Sequence, residues 1–229
     1  MTKTALLASA AAVALSAGNA FAAAPLAMGH GTPQRVISVT PSATLYDQTS
    51  DVLGGALGSQ NFGSPDTLYN DQGADDFTVP AGAKWKIKEV DIPGVNYGAN
   101  PASSLNVIFY KNKAGLPGAV ASECDNQSSS GYNGSGGYAI KLSGATCTNG
   151  VIPKLKGGSG GKTYWVSVVA NQDFSTDSQW FWSMNGVIHG NDAQWENSGG
   201  GFGICPTWCN TAGVVGYTAD FAFTLKGKG

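Results

Sequence analysis

From Ala74 onward apolar and polar side chains alternate with a period of two, the mark of strands that bury one face and wet the other. Phe77 and Val79 fall on one face with Asp75 in phase, and Pro80-Ala81-Gly82 supplies a turn. In Lys84–Ile92 the apolar positions are Trp85 and Ile87, then Val90 and Ile92. That single change of parity predicts a β-bulge, one inserted residue that redirects the side chains beyond it. Leu105, Val107 and Phe109 alternate with Asn106, Ile108 and Tyr110, and Ala114–Gly118 ends that strand. Residues 122–137, rich in Ser, Asn and Gly, read as a mobile surface loop, and Tyr138–Leu142 as the next strand. Thr163–Val169 is apolar on both faces and belongs at a sheet centre, so Gly157–Gly161 before it reads as a loop within one domain rather than a linker. Trp180, Trp182 and Met184 share a face. The closing segment sets Tyr217, Ala219, Phe221, Phe223 and Leu225 against Asp220, Ala222, Thr224 and Lys226, which implies a deeply packed terminal strand.

Upstream, Leu45–Gln48 reads as a first short strand, followed by a polar, Gly-rich loop through Asn70. Nothing beyond residue 22 has the periodicity of a helix of useful length. Roughly eight to ten short strands separated by Gly, Asn and Pro turns predict an all-β fold, a two-sheet antiparallel β-sandwich of jelly-roll type. Residues 45–229 are expected to form it as a single domain.

The chain's beginning is of another kind. Residues 1–22 carry Lys3, an apolar run from Ala5 to Leu15 and the small-residue motif Ala20-Phe21-Ala22, the three parts of a secretory signal peptide cleaved after Ala22. A membrane-spanning helix fits less well, because the apolar run is short and rich in Ala and Ser. Residues 23–44, with the isolated His30 and a β-like run at Arg35–Val39, read as an extended lead-in. The expected location is therefore secreted or extracellular, with periplasmic and surface-attached placements left open.

Composition narrows the partners. Without residues 1–22, 12 basic side chains face 15 acidic ones, a formal charge of −3. That balance offers no basic footprint for nucleic acid or an anionic membrane. Charged residues make up 12% of the chain while Gly fills 33 positions, so solubility rests on Ser, Thr, Asn and Gln. Such a surface suits sugars better than charged partners. Four cysteines in an exported chain read as two disulfides with three possible pairings. Cys124–Cys147, closing a Ser/Gly-rich excursion, and Cys205–Cys209, pinning a tight loop, are favoured. Zinc is the weak rival, since Cys-x3-Cys has only the solitary His189 nearby.

Several strings in order, Leu45-Tyr-Asp-Gln48, Ala74-Asp-Asp-Phe-Thr-Val-Pro80, Asn106-Val-Ile-Phe-Tyr110, Gly115-Leu-Pro-Gly118, Tyr164-Trp-Val-Ser167, Ala193-Gln-Trp195, Gly199-Gly-Gly-Phe-Gly203 and Asp220-Phe-Ala-Phe223, cover most of residues 45–227. Their order resembles a group of secreted bacterial β-sandwich modules of undefined function, found alone or attached to secreted enzymes and surface proteins. The resemblance implies a fold and an extracellular setting and carries over no catalytic residue. One departure is that such modules often read Asn-Pro before the triple glycine, where this chain has Asn197-Ser198.

Four functional readings compete. For carbohydrate binding, pyranose C–H faces stack on aromatic rings while amides and carboxylates fix the hydroxyls. Trp180, Trp182, Trp195 and Trp208 are the platforms, with Asn191, Asp192, Gln194 and Asn197 as partners. Alternation on a strand puts at least two of these rings in the core, and loop context makes Trp195 and Trp208 the expected exposed pair. For metal binding, Asp71, Asp75 and Asp76 at the entry to one strand, with Asp220 entering the last, would form an oxygen-rich cage suited to calcium. The plainer reading of those aspartates is turn residues or a backbone cap. For glycan hydrolysis, the chain has Glu89, Glu123 and Glu196, and Glu196 with Asp192 nearby is the best carboxylate pair. No Gly-x-Ser-x-Gly elbow is present, and two lone histidines argue against a triad. The fourth reading is a structural or adhesive protein that self-associates through edge strands on a cell surface or in a matrix.

Overall fold

The computed structural model describes residues 42–98, 100–131 and 136–229. The expected signal peptide, His30 and the Arg35–Val39 run lie outside the described residues. Those described fall in one compact unit.

Seventeen strands follow in order: β1 Ala43–Asp47, β2 Val52–Gly58, β3 Gln60–Asn61, β4 Gln72–Val79, β5 Lys84–Ile92, β6 Gly94–Asn96, β7 Ser104–Lys113, β8 Leu116–Gln127 and β9 Ser129–Gly131. They continue as β10 Tyr138–Lys141, β11 Lys154–Lys156, β12 Lys162–Asn171, β13 Trp180–Asn185, β14 Gln194–Glu196, β15 Cys209–Asn210, β16 Asp220–Phe221 and β17 Thr224–Lys228. The α-helices among the described residues, α1 Phe174–Asp177 and α2 Ala212–Val215, have four residues each. No described helix is long and apolar enough to cross a membrane.

The fold is all-β, but the strands form three sheets where two were expected. Six strands, ordered β1-β17-β5-β10-β9 with β11 also on β5, make the first; seven, ordered β15-β14-β4-β12-β7-β8 with β3 on β12, make the second. The inward faces of these two sheets share one core, in which Phe77 of β4 stacks on Trp85 of β5 at 6.1 Å. A four-stranded sheet of β2, β6, β13 and β16 adds Trp180, Trp182 and Met184 to the same core. Its origin is visible in the closing segment, which does not run as one strand. Asp220–Phe221 pairs with β13, and Thr224–Lys228 pairs with β1 and β5. Ala219 through Leu225 are all buried, every one but Thr224 completely. A segment that crosses between sheets meets protein on both sides, so alternation alone misstates its surroundings.

The bulge lies where the parity changes. The β17–β5 register shifts between Lys226 opposite Glu89 and Gly227 opposite Ile87, leaving Lys88 as the extra residue. Trp85 and Ile87 before it, and Val90 and Ile92 after it, then all point inward and are buried. Thr163–Val169 sits centrally, between β4 and β7.

Two stretches depart from expectation. Val52–Gly58, expected as loop, is a strand on β13. Of residues 122–137, expected as mobile loop, Ser129–Gly131 pair with β10 as β9 and 122–127 extend β8, which forms a hairpin with β7 through Ala114 and Gly115 at positive φ. Both turn residues on that side of φ space match the right-handed twist of the flanking strands. The two disulfides are Cys124–Cys147 and Cys205–Cys209.

The outward face of the six-stranded sheet gathers lysines. Lys86 on β5 stands directly opposite Lys154 on β11 and, on its other side, opposite Lys228 on β17. Lys84 faces Lys156 one step along. Like charges in such pairs oppose strand pairing by a few tenths of a kcal/mol each, an order-of-magnitude figure for exposed positions. Farther along the same strands Glu89 lies between Lys141 and Lys226, and Lys226 contacts both Glu89 and Asp91.

Candidate functional site

The tryptophan-rich stretch divides unevenly. Trp180 and Trp182 are fully buried, and their indole N–H groups donate to Gly136 O and Ala222 O, each at 2.7 Å. Trp182 stacks on Phe221 at 4.6 Å. Trp195, expected to be exposed, is 3% exposed and donates to Gly58 O at 2.9 Å. The register explains this: Trp195 on β14 stands opposite Gly73 of β4, in phase with the inward-facing Phe77 and Val79, and the space left by Gly73 itself is taken by the Phe221 ring. With ring and N–H both satisfied inside, these three tryptophans are core residues and not ligand platforms. Trp208 is half-buried and meets Tyr110 edge-on at 5.8 Å.

The expected polar partners divide likewise. Asn197 is completely buried and acts as a clamp: its amide donates to Leu68 O and Asn70 O, and its carbonyl accepts from Phe202 N. Gln194 is buried, with Nε2 on Asp192 O. Asn191 and Asp192 stay half-buried at the surface.

The four aspartates expected as calcium ligands are not one group. Asp75, Asp76 and Asp220 come together, while Asp71 lies apart with Oδ1 accepting from Gln60 N at 2.6 Å. Within the trio most oxygens already face N–H donors. Gln48 Nε2 and Phe221 N donate to Asp75 Oδ2, Asp76 N donates to Asp75 Oδ1, and Asn191 supplies both its side-chain and backbone N–H to Asp76. His189 N donates to Asp220 Oδ2 at 2.5 Å, leaving Asp220 Oδ1 buried without a partner. Burial and the neighbouring Asp220 charge push Asp75 well above the usual carboxylate range, and burial, with Asp76 adding to it, pushes Asp220 up to about 6. Burial pushes Asp71 up to about 8 against the opposing pull of the Gln60 amide. Each of these shifts opposes the ionised form that a calcium ligand would need. Among the described residues no group of three or more His, Cys, Asp or Glu is arranged to hold a metal ion.

The outward face of the seven-stranded sheet carries a groove of about 290 Å³. Gln72, Ile108 and Val169 line it from neighbouring strands, and Asn61, Asn70 and Asn106 bring amides to it. Gln72 Nε2 donates to Tyr110 Oη at 2.6 Å and to Ser167 Oγ at 2.9 Å, which fixes both across the sheet. Glu196 on β14 and Glu123 on β8 also line the groove. Burial raises both carboxyls above their ordinary value, and Asp125 adds to the effect at Glu123. Burial, with the two glutamates adding to it, pushes the Tyr110 hydroxyl up to about 12.

Beside the groove lies an aromatic shelf. Phe62 is its buried hub, 5.6 Å from Phe174 and 6.2 Å from Phe202, while Tyr69 meets Phe202 edge-on at 5.2 Å. Tyr69, Phe174 and Phe202 are each at least 40% exposed. The chain between Asn197 and Phe202 reaches the shelf because Gly199 and Gly201 pass so close to Leu68 that a Cβ on either would clash with its carbonyl oxygen.

Sequence reasoning centred on tryptophan and so missed these phenylalanines, Tyr69 and the groove amides. One signal for the groove was present, the mixed face of β7 with Asn106, Ile108 and Tyr110 in a row.

No family model, curated protein or solved structure matches the chain.

Proposed function

We propose that this chain is an exported, non-catalytic carbohydrate-binding module of jelly-roll type, which engages a glycan in the groove on the outward face of its seven-stranded sheet. The observation that carries this is the groove's chemistry: amides from Asn61, Asn70, Gln72 and Asn106 and carboxyls from Asp71, Glu123 and Glu196 in one concavity, with Gln72 bonded to Tyr110, on which half-buried Trp208 packs, and with Tyr69 of the aromatic shelf next to Asn70 in the chain. Amides pair with sugar hydroxyls, and exposed aromatic rings pack against the sugar's C–H faces. The likeness to secreted bacterial sandwich modules belongs to the same reading.

Glu123 and Glu196 enter the groove from strands separated by β4, β12 and β7, four inter-strand steps of about 4.8 Å between their backbones, so they stand at opposite ends of it and can accept hydrogen bonds from hydroxyls of a glycan laid across the sheet.

The test is affinity electrophoresis through gels containing neutral polysaccharides such as dextran, xylan and β-glucan. Wild type should be retarded in at least one gel. Trp208→Ala and Asn61→Ala should lose that retardation with their melting temperatures kept. Equal mobility of wild type in every gel overturns the reading. Light scattering that shows concentration-dependent assembly without glycan transfers it to self-association.

A further inference from the structure

From the charge arrangement on the six-stranded sheet, we infer that its outward face is a second binding surface, for an acidic polysaccharide. Among the described residues, eight of eleven lysines lie on that sheet's strands, which carry only three acidic residues, Asp47, Glu89 and Asp91. Three lysines and twelve acidic residues occupy the rest. A chain with a formal charge of −2 therefore has one strongly cationic face. Net charge was the misleading quantity, because it averages over opposite sides of the molecule.

The arrangement is more specific than a solvated surface. Lys154, Lys86 and Lys228 form a row across three adjacent strands, and Lys84 with Lys156 forms a second row beside it. None of these five makes an ion pair among the described residues, and every aspartate and glutamate of the chain is described. Lysine on an edge strand has an ordinary purpose, to block pairing with another chain. That accounts for β11 but not for β5, which is hydrogen-bonded on both sides. Like charges opposed across interior strands work against the sheet, and a polyanion laid over them turns that repulsion into attraction.

The partner's class follows from what surrounds the charges. Trp85 and Tyr138 on these strands are buried, so the face has no aromatic platform for nucleic-acid bases. None of the large exposed hydrophobic side chains lies on β5, β10, β11 or β17, so nothing there would enter a lipid layer. The described residues contain no arginine, the side chain suited to bidentate grip on phosphate. Lysines repeating at the strand interval, about 4.8 Å, suit a flexible polymer with one carboxylate per sugar ring, whose charges recur at a distance of that order. This face does not share the amide-lined groove, which opens on the other sheet, so either assignment stands or falls alone.

The experiment is affinity electrophoresis and titration calorimetry of the intact chain with sodium polygalacturonate, beside dextran, a single-stranded DNA oligonucleotide and phosphatidylglycerol vesicles. Two triple variants carry the same charge change: Lys84→Gln/Lys86→Gln/Lys154→Gln on the face, and Lys111→Gln/Lys113→Gln/Lys162→Gln off it. Polygalacturonate should bind wild type, weaken steeply with added salt, and bind the face variant about tenfold or more weakly, with the off-face variant close to wild type. The face variant should melt no lower than wild type, since only repulsions are removed. Absence of polygalacturonate binding, equal losses in both variants, or tighter binding of DNA or vesicles than of polygalacturonate would each overturn the inference.

Discussion

Asp71 shows how much one side chain sets for the molecule. Its carboxyl is buried beside Gly58 and Gln60, and its pKa is pushed up to about 8, whereas in an unfolded chain an aspartate titrates near 3.9. The folded form therefore holds this proton more tightly than the unfolded form. Stability should be fullest in acid and decline as pH rises from about 4 to about 8, levelling off above that. Asp75 and Asp220, both raised, act in the same direction. Asp71→Asn keeps the acceptor for Gln60 N and removes the titration. Its melting temperature should exceed that of wild type at the alkaline end of this range and vary less with pH; parallel pH profiles for the two proteins would refute the assignment. Nothing in the sequence around Asp71 announces this, since burial of a polar loop residue depends on Gly58 leaving space above it. Trp195 taught the reverse lesson: its Gly- and Asn-rich surroundings suggested exposure, and pairing of β14 with β4 in an inward-facing register put the ring inside.

At the scale of elements, the legible parts were those where one face is buried and the other wet. The bulge at Lys88 could be read from four apolar residues because each parity has a single core-facing solution. The strand β2 could not, because a run of Val, Leu, Gly and Ala alternates nothing, and its strand character comes from pairing with β13. The polar end of β8 was hidden similarly, being a wet strand held at Cys124 by the disulfide to Cys147. That disulfide joins residues 23 apart, and the other joins residues 4 apart. Loop-closure entropy makes the first worth about 3 kcal/mol and the second about 2 kcal/mol. Urea unfolding should accordingly give a lower midpoint for Cys124→Ala/Cys147→Ala than for Cys205→Ala/Cys209→Ala, and the opposite order would show that native-state packing outweighs chain entropy here.

Across the whole molecule, the all-β class and the shared core were predictable, and the third sheet was not. A period of two records which side of a strand is dry but carries no information on which sheet the strand joins. The same limit applied to charge: the alternating lysines of Lys84–Lys88 were plain in the sequence, but only strand pairing shows that β11 and β17 bring further lysines opposite them. Despite an isoelectric point near 5.6, the protein should be retained on a cation exchanger at neutral pH and low ionic strength, and the variant lacking Lys84, Lys86 and Lys154 should flow through. Co-elution of the two would show that local charge does not govern its adsorption.

A body with its positive charge on one side and its negative charge on the others has a large electric dipole. Near an anionic solid it will turn before it lands, and it will come to rest lysines down. The amide groove, on the far side of the core, then looks away from the support, so molecules immobilised this way would form a uniformly oriented film with every groove open to the solution.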